Sequence, residues 1–141
     1  MEFIEKLAEE KVQNYINAHL DKDINKLSLS KNPFERIDFK AIINQIVAKN
    51  KAKEKLPTWF NCSGIIYPEK ISIEQTSSEL TAQYKSDLIS GKSLLDLTGG
   101  FGVDDYYFSK KFDDVYHCEL NPILSEIVKK NWKTLQIKNI R

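Results

Sequence analysis

Between residues 2 and 20, apolar side chains return every fourth position, at Ile4, Ala8, Val12, Ile16 and Leu20, and Phe3, Leu7 and Tyr15 widen the stripe. That period predicts one amphipathic helix whose apolar face packs on neighbouring helices. Asp23 is placed to cap a short helix that ends before Asn32-Pro33, because the residue before proline avoids the α region. Asp38 caps a longer one, in which Phe39, Ile42, Ile43, Ile46 and Val47 repeat at three and four and the stripe fades at Asn50. Lys49, Lys51, Lys53 and Lys55 follow and read as a solvated helix end. The next stretch, from Pro57 to Pro68, is aromatic and apolar, and Trp59, Phe60 and Tyr67 are expected to pack against what comes after it. The pattern divides the chain into a helical N-terminal domain at 1–56, a linker at 57–75 and an α/β part at 76–141.

Beyond the linker the rhythm changes. Thr76-Ser77-Ser78-Glu79 has the form of a capping box, opening a helix to about Ile89 with Leu80, Tyr84 and Leu88 on one face and Ser90-Gly91 as its stop. Leu94, Leu95 and Leu97 then form a short apolar run, the pattern of a parallel strand buried on both faces, ending at Asp96 or Leu97. After the turn Gly99-Gly100-Phe101-Gly102, a helix is predicted from Val103 to Lys111, with Asp104 and Asp105 in the first turn where acids suit the helix dipole. A second strand, Val115 to Cys118, ends in Glu119, and Asn121-Pro122 opens a helix with Ile123, Leu124, Ile127 and Val128 on its inner stripe. Trp132 and Leu135 extend that stripe, and residues 137–140 resemble the start of a third strand. The fold class is therefore α/β, a helical domain followed by a truncated Rossmann-like parallel sheet of two or three strands. So few elements leave an apolar sheet face and an edge uncovered, which predicts self-association.

The glycine turn carries the chemistry. Gly99, Gly100 and Gly102 permit positive φ and lack a Cβ, so a ligand can approach backbone N–H groups closely. A dinucleotide fingerprint starting at Gly100 would need glycine or alanine at 105, and Asp105 stands there, which disfavours a nicotinamide or flavin oxidoreductase. Instead an acid, Asp96, precedes the glycines, and a second acid, Glu119, lies 20 positions after Gly99, the offset of a residue that accepts ribose hydroxyls. This arrangement resembles motif I and the following acid of the class I S-adenosylmethionine-dependent methyltransferases. The resemblance implies S-adenosyl-L-methionine as cofactor and Asp96, Gly99, Gly100, Gly102 and Glu119 as its binding residues, with Gln75 as a second contact and Asp104 close by. The wording from Glu74 to Lys85 and from Leu95 to Asp104 is similar to bacterial methyltransferases that carry a THUMP-like domain after the catalytic one. That likeness spans about residues 57–141 and implies RNA as the substrate. No catalytic residue is named, because the acceptor-binding motif of that family follows a fourth strand. The reading is an N-terminal fragment that holds the cofactor half and is itself inactive; the alternative is a non-catalytic interaction module that keeps the fold.

Composition adds bounds. With 141 residues, 41% hydrophobic and 29% charged, the chain is an ordinary globular one with no sign of disorder. Its net charge of +1 lacks the electrostatic footprint of a nucleic-acid binder, so RNA contact would need a local patch or a further domain. Cys62 and Cys118 have no C-x-x-C partner, which points to neither a zinc site nor a disulfide framework and suits a reducing cytoplasm. Met1 is followed by acids rather than a basic and apolar leader, and no apolar run spans a membrane, so the chain is expected to be cytoplasmic.

Overall fold

A computed structural model describes residues 2–68 and 70–141; Glu69, within the stretch read as linker, and Met1 lie outside. The N-terminal stripe forms two helices rather than one, α1 (Glu2–Ala8) and α2 (Glu10–Ala18), separated at Glu9, whose ψ of 136° is extended. The buried Gln13 amide donates to Leu7 O at 2.8 Å, occupying a carbonyl a continuous helix would have used, and the break lets Leu7, Val12 and Ile16 all reach the core. The short α3 (Ile24–Ser28) is capped by Asp23 and the long α4 (Phe39–Lys55) by Asp38, both as their sequences predict. Helix α4 runs past Asn50, and its lysines are not uniformly solvated. Lys49 is buried, donating to Asn17 Oδ1 at 2.7 Å over the ring of Phe60, and Lys55 caps the carbonyls of Ile73 and Glu74.

The stretch read as linker folds. It holds α5 (Pro57–Asn61), an irregular buried segment at 65–68 and α6 (Lys70–Gln75). Trp59 and Tyr67 are buried, and both pack on Phe101 of the glycine turn, with ring centroids 6.2 and 6.1 Å away. This buried segment pairs with no strand among the described residues, and side-chain amides take the place of a ladder. Gln45 of α4 accepts from Tyr67 N at 2.9 Å and donates to Tyr67 O at 2.7 Å. Asn131 does the same for Ile66, at 2.9 and 2.7 Å.

Helix α7 (Glu79–Asp87) starts two residues later than the capping box would place it. Ser78 is the cap, accepting from Thr81 N at 3.1 Å, while Glu79 turns inward. The helix turns accordingly: Ala82 and Ser86 are buried, and the face shared by Leu80, Tyr84 and Leu88 points outward, at 79%, 66% and 65% exposed. Strand β1 (Gly91–Asp96) pairs in parallel with β2 (Phe112–His117), Leu94 beside Val115 and Leu95 beside Tyr116. Between them lies α8 (Val103–Phe108), and after them α9 (Pro122–Thr134), capped by Asn121. One sheet face is covered, with Val115 fully buried. On the other Leu95 and Leu97 are 60% and 72% exposed, so β1 is not buried on both faces as its apolar run suggested. The third strand is reduced to a single bridge, Val115 to Ile140, flanked by Val115 N donating to Asn139 O and Arg141 N to Val115 O, both at 2.9 Å. The molecule is thus α/β, mostly helical with a two-stranded parallel sheet, as a truncated Rossmann-like fold requires. Its hydrophobic core is continuous from α1 to α9. No helix among the described residues is long and apolar enough to cross a membrane.

Candidate functional site

The turn after β1 is stitched to the end of β2 by backbone bonds, Cys118 N to Asp96 O at 2.9 Å and Gly99 N to Cys118 O at 3.0 Å. It then closes on itself through Gly102 N to Gly99 O at 2.9 Å. Phe101, 3% exposed, drives into the Trp59 and Tyr67 cluster and pins the turn to the helical region. A cleft of about 290 Å³ opens above it, lined on the loop side by Gly99, Gly100, Asp104 and Glu119 and on the far side by Gln75, Thr76 and Ser77. Five of the seven residues singled out from sequence therefore line one cavity. Asp96 and Gly102 stand outside its lining. The Asp96 carboxylate is turned back on the loop, accepting from Thr98 N at 2.8 Å and Thr98 Oγ1 at 3.2 Å.

The three glycines serve different needs. At Gly99 a Cβ would overlap the imidazole of His117. At Gly102, with φ of 73°, it would press on Val128 Cγ1 at 3.0 Å and Trp132 Cζ2 at 3.1 Å. Only at Gly100, with φ of 54°, is the nearest atom at ordinary contact, Thr98 O at 3.7 Å, so this is the position where absence of a side chain leaves space for something else. Its N–H donates to Glu119 Oε2 at 3.1 Å, and Glu119 Oε1 accepts from Asn121 N at 2.7 Å. The Glu119 carboxylate is thereby fixed at the cleft wall with one donor on each oxygen, and each oxygen keeps an acceptor position.

Across the cleft, Asp104 Oδ2 accepts from Ser77 Oγ and from Lys85 Nζ, each at 2.9 Å. Its Oδ1 is buried and finds no hydrogen-bond partner among the described residues. Asp105, also in the first turn of α8, points the opposite way, into the protein, fully buried against His117. Burial pushes its carboxyl above the ordinary 3.8, as does the like charge of Asp96, while the bond from His117 works against the rise. Behind the loop, Glu79 accepts from Thr58 N at 2.6 Å, Thr58 Oγ1 at 2.7 Å and Tyr107 Oη at 2.8 Å, joining α5, α7 and α8. Sequence reasoning missed Phe101, His117 and Glu79 as organisers of the site. Phe101 alone left a signal, a large aromatic between two glycines.

Among solved structures the chain matches the crystal structure of a putative methyltransferase from Porphyromonas gingivalis W83, with a TM-score of 0.79 and 25% identity over 93% of this chain. The fold is methyltransferase-like. The match takes in 33% of the neighbour, so this chain spans about a third of that protein's length. No family model and no curated protein matches the chain.

Proposed function

We propose that the chain is the cofactor-binding part of a class I S-adenosylmethionine-dependent methyltransferase acting on RNA, the acceptor site lying in the rest of a longer protein. The observation that carries this reading is the Glu119 carboxylate, held beside the one glycine of the loop at which a Cβ would meet nothing closer than 3.7 Å, and sharing a cleft with the carboxylate of Asp104. The donor set suits the group. Glu119 has acceptor positions for a ribose diol, and Asp104, which lines the same cleft, would bring a carboxylate near the cofactor's ammonium. At about 290 Å³ the cleft is just below the usual range for small-molecule pockets, in keeping with a site only partly built by these residues.

Bound there, the cofactor would supply an electrophilic methyl on a sulfonium, whose S–CH3 bond breaks as a nucleophile's bond to the methyl forms. The contribution of this chain is placement: Glu119 orients the ribose, Gly100 lets the ligand close on the loop, and Lys85 with Ser77 holds Asp104 in position. In-line transfer depends on such positioning, but these residues hold only one of the two reactants. The RNA substrate is supported by the likeness to methyltransferases with a THUMP-like domain. The test is calorimetric titration with adenosylmethionine, its demethylated product and NAD. Glu119→Ala is expected to weaken the first two roughly tenfold or more, since each charge-assisted hydrogen bond is worth about 1.5–3 kcal/mol and 1.4 kcal/mol is a factor of ten. Equal affinity in the variant would remove Glu119 from the site, and tighter binding of NAD would replace the reading.

A further inference from the structure

The floor beneath the glycine loop is a single imidazole. His117, the last residue of β2, occupies the volume that a side chain at Gly99 would need. Its Nδ1 is 2.5 Å from Asp105 Oδ2, the two side chains being 3% and 0% exposed. Its ring meets Trp132 of α9 edge-on, at 4.9 Å and 90°. The other ring nitrogen, Nε2, is buried with no partner among the described residues. A proton on Nε2 would be an unpaired buried donor, which favours the tautomer that carries its proton on Nδ1 and donates it to Asp105. Three elements therefore brace one ring, and the ring supports the loop: α8 through Asp105, α9 through Trp132 and β2 through the backbone.

We propose that His117 is the positioning residue of the cofactor loop. Braced by Asp105, its ring fixes the height of the Gly99–Gly100 backbone at which the Gly100 N–H meets Glu119, and so sets the affinity of the cleft for adenosylmethionine. The inference rests on the cofactor reading above for its ligand, but its geometry can be tested without one. Asp105→Asn keeps an acceptor for the Nδ1 proton and Asp105→Leu does not, so the pair separates a hydrogen-bonded brace from mere packing.

Amide hydrogen exchange is measured on the wild type, His117→Phe, Asp105→Asn and Asp105→Leu. The Gly99 and Gly100 amides are expected to exchange about tenfold faster in His117→Phe and Asp105→Leu and to stay protected in Asp105→Asn, with the amides of α4 unchanged throughout. Uniform loss of protection, or identical behaviour of the Asn and Leu variants, overturns the proposal. Should the Leu or Phe variant fail to fold, the cycle of Gly99→Ala, His117→Ala and their double decides by melting temperature: removal of His117 should relieve most of the cost of Gly99→Ala, and additive costs refute the contact. On the ligand side, His117→Phe should bind adenosylmethionine roughly tenfold more weakly than wild type, and Asp105→Asn about as well. If the wild type itself does not bind, the cofactor reading falls while the exchange pattern still decides for or against His117.

Discussion

Glu79 offers a sharp test of how the site is held, because two accounts of it differ severalfold in energy. As the fourth residue of a capping box its carboxylate would serve one backbone N–H at a helix end, and its loss would cost about 1 kcal/mol or less. In the structure it is 8% exposed and receives three donors, Thr58 N, Thr58 Oγ1 and Tyr107 Oη. Hydrogen bonds to a charged acceptor contribute about 1.5–3 kcal/mol each. Summing three at face value overshoots, since Thr58 is only partly buried and water can reach it once the carboxylate is gone. A loss of roughly 3–5 kcal/mol is expected for Glu79→Ala, the size of breaking one buried network. Glu79→Gln should cost less than half as much: its carbonyl still accepts from Thr58 N, and the two hydroxyls can rotate to accept from its amide. Urea unfolding followed by circular dichroism gives both values, a slope of about 1–3 kcal/mol per molar placing the alanine midpoint more than 1 M below wild type. A cost below about 1 kcal/mol for alanine, or equal costs for alanine and glutamine, would refute the network and return Glu79 to a helix cap.

Three further outcomes are expected. Asp105 has its carboxyl raised above 3.8, so between that value and its folded one the native state holds the extra proton and this group's contribution to stability grows as the pH falls. Wild-type stability measured against Asp105→Asn should therefore rise as the pH is lowered from neutral towards 3.8, and a difference that does not vary with pH would contradict the burial of that acid. The uncovered sheet face with Leu95 and Leu97 should make the isolated chain associate at micromolar concentrations, which sedimentation would register and Leu97→Lys should reduce; a strictly monomeric wild type would count against it. Incubated with labelled adenosylmethionine and total RNA, the 141 residues should show no transfer above a Glu119→Ala control if the acceptor site is built by the rest of a longer protein, as proposed above.

Local signals in the sequence were the ones that could be read. Asp23, Asp38 and Asn121 act on N–H groups two or three positions away, so their role as caps is written within a few residues, and all three helices begin where they stand. The strand, glycine turn, helix and second strand follow from local period as well. What escaped was decided at a distance. Ser78 and Thr76 could both cap α7, and the choice was made by Thr58 and Tyr107, which draw Glu79 inward and turn Leu80, Tyr84 and Leu88 outward. The apolar run of β1 reports what a parallel strand is suited to bury, whereas its exposure depends on neighbours. Within the candidate site, acids and glycines could be located by spacing, but only coordinates separate Gly100, which faces space, from Gly99 and Gly102, which accommodate His117 and Trp132.

The paired amides on Ile66 and Tyr67 also bear on the order of assembly. Gln45 reaches a residue 22 positions away, and Asn131 reaches one 65 positions away, to perform the same double clasp on neighbouring peptide units. Chain closure scales as (3/2)RT ln n, so the second clasp costs about 1 kcal/mol more entropy than the first if both close from an open chain. Once Gln45 holds Tyr67 that excess no longer applies in full, because the segment is already anchored beside α4. The nearer clasp thus lowers the entropic cost of the farther one, and closing Gln45 before Asn131 is the less costly order of assembly.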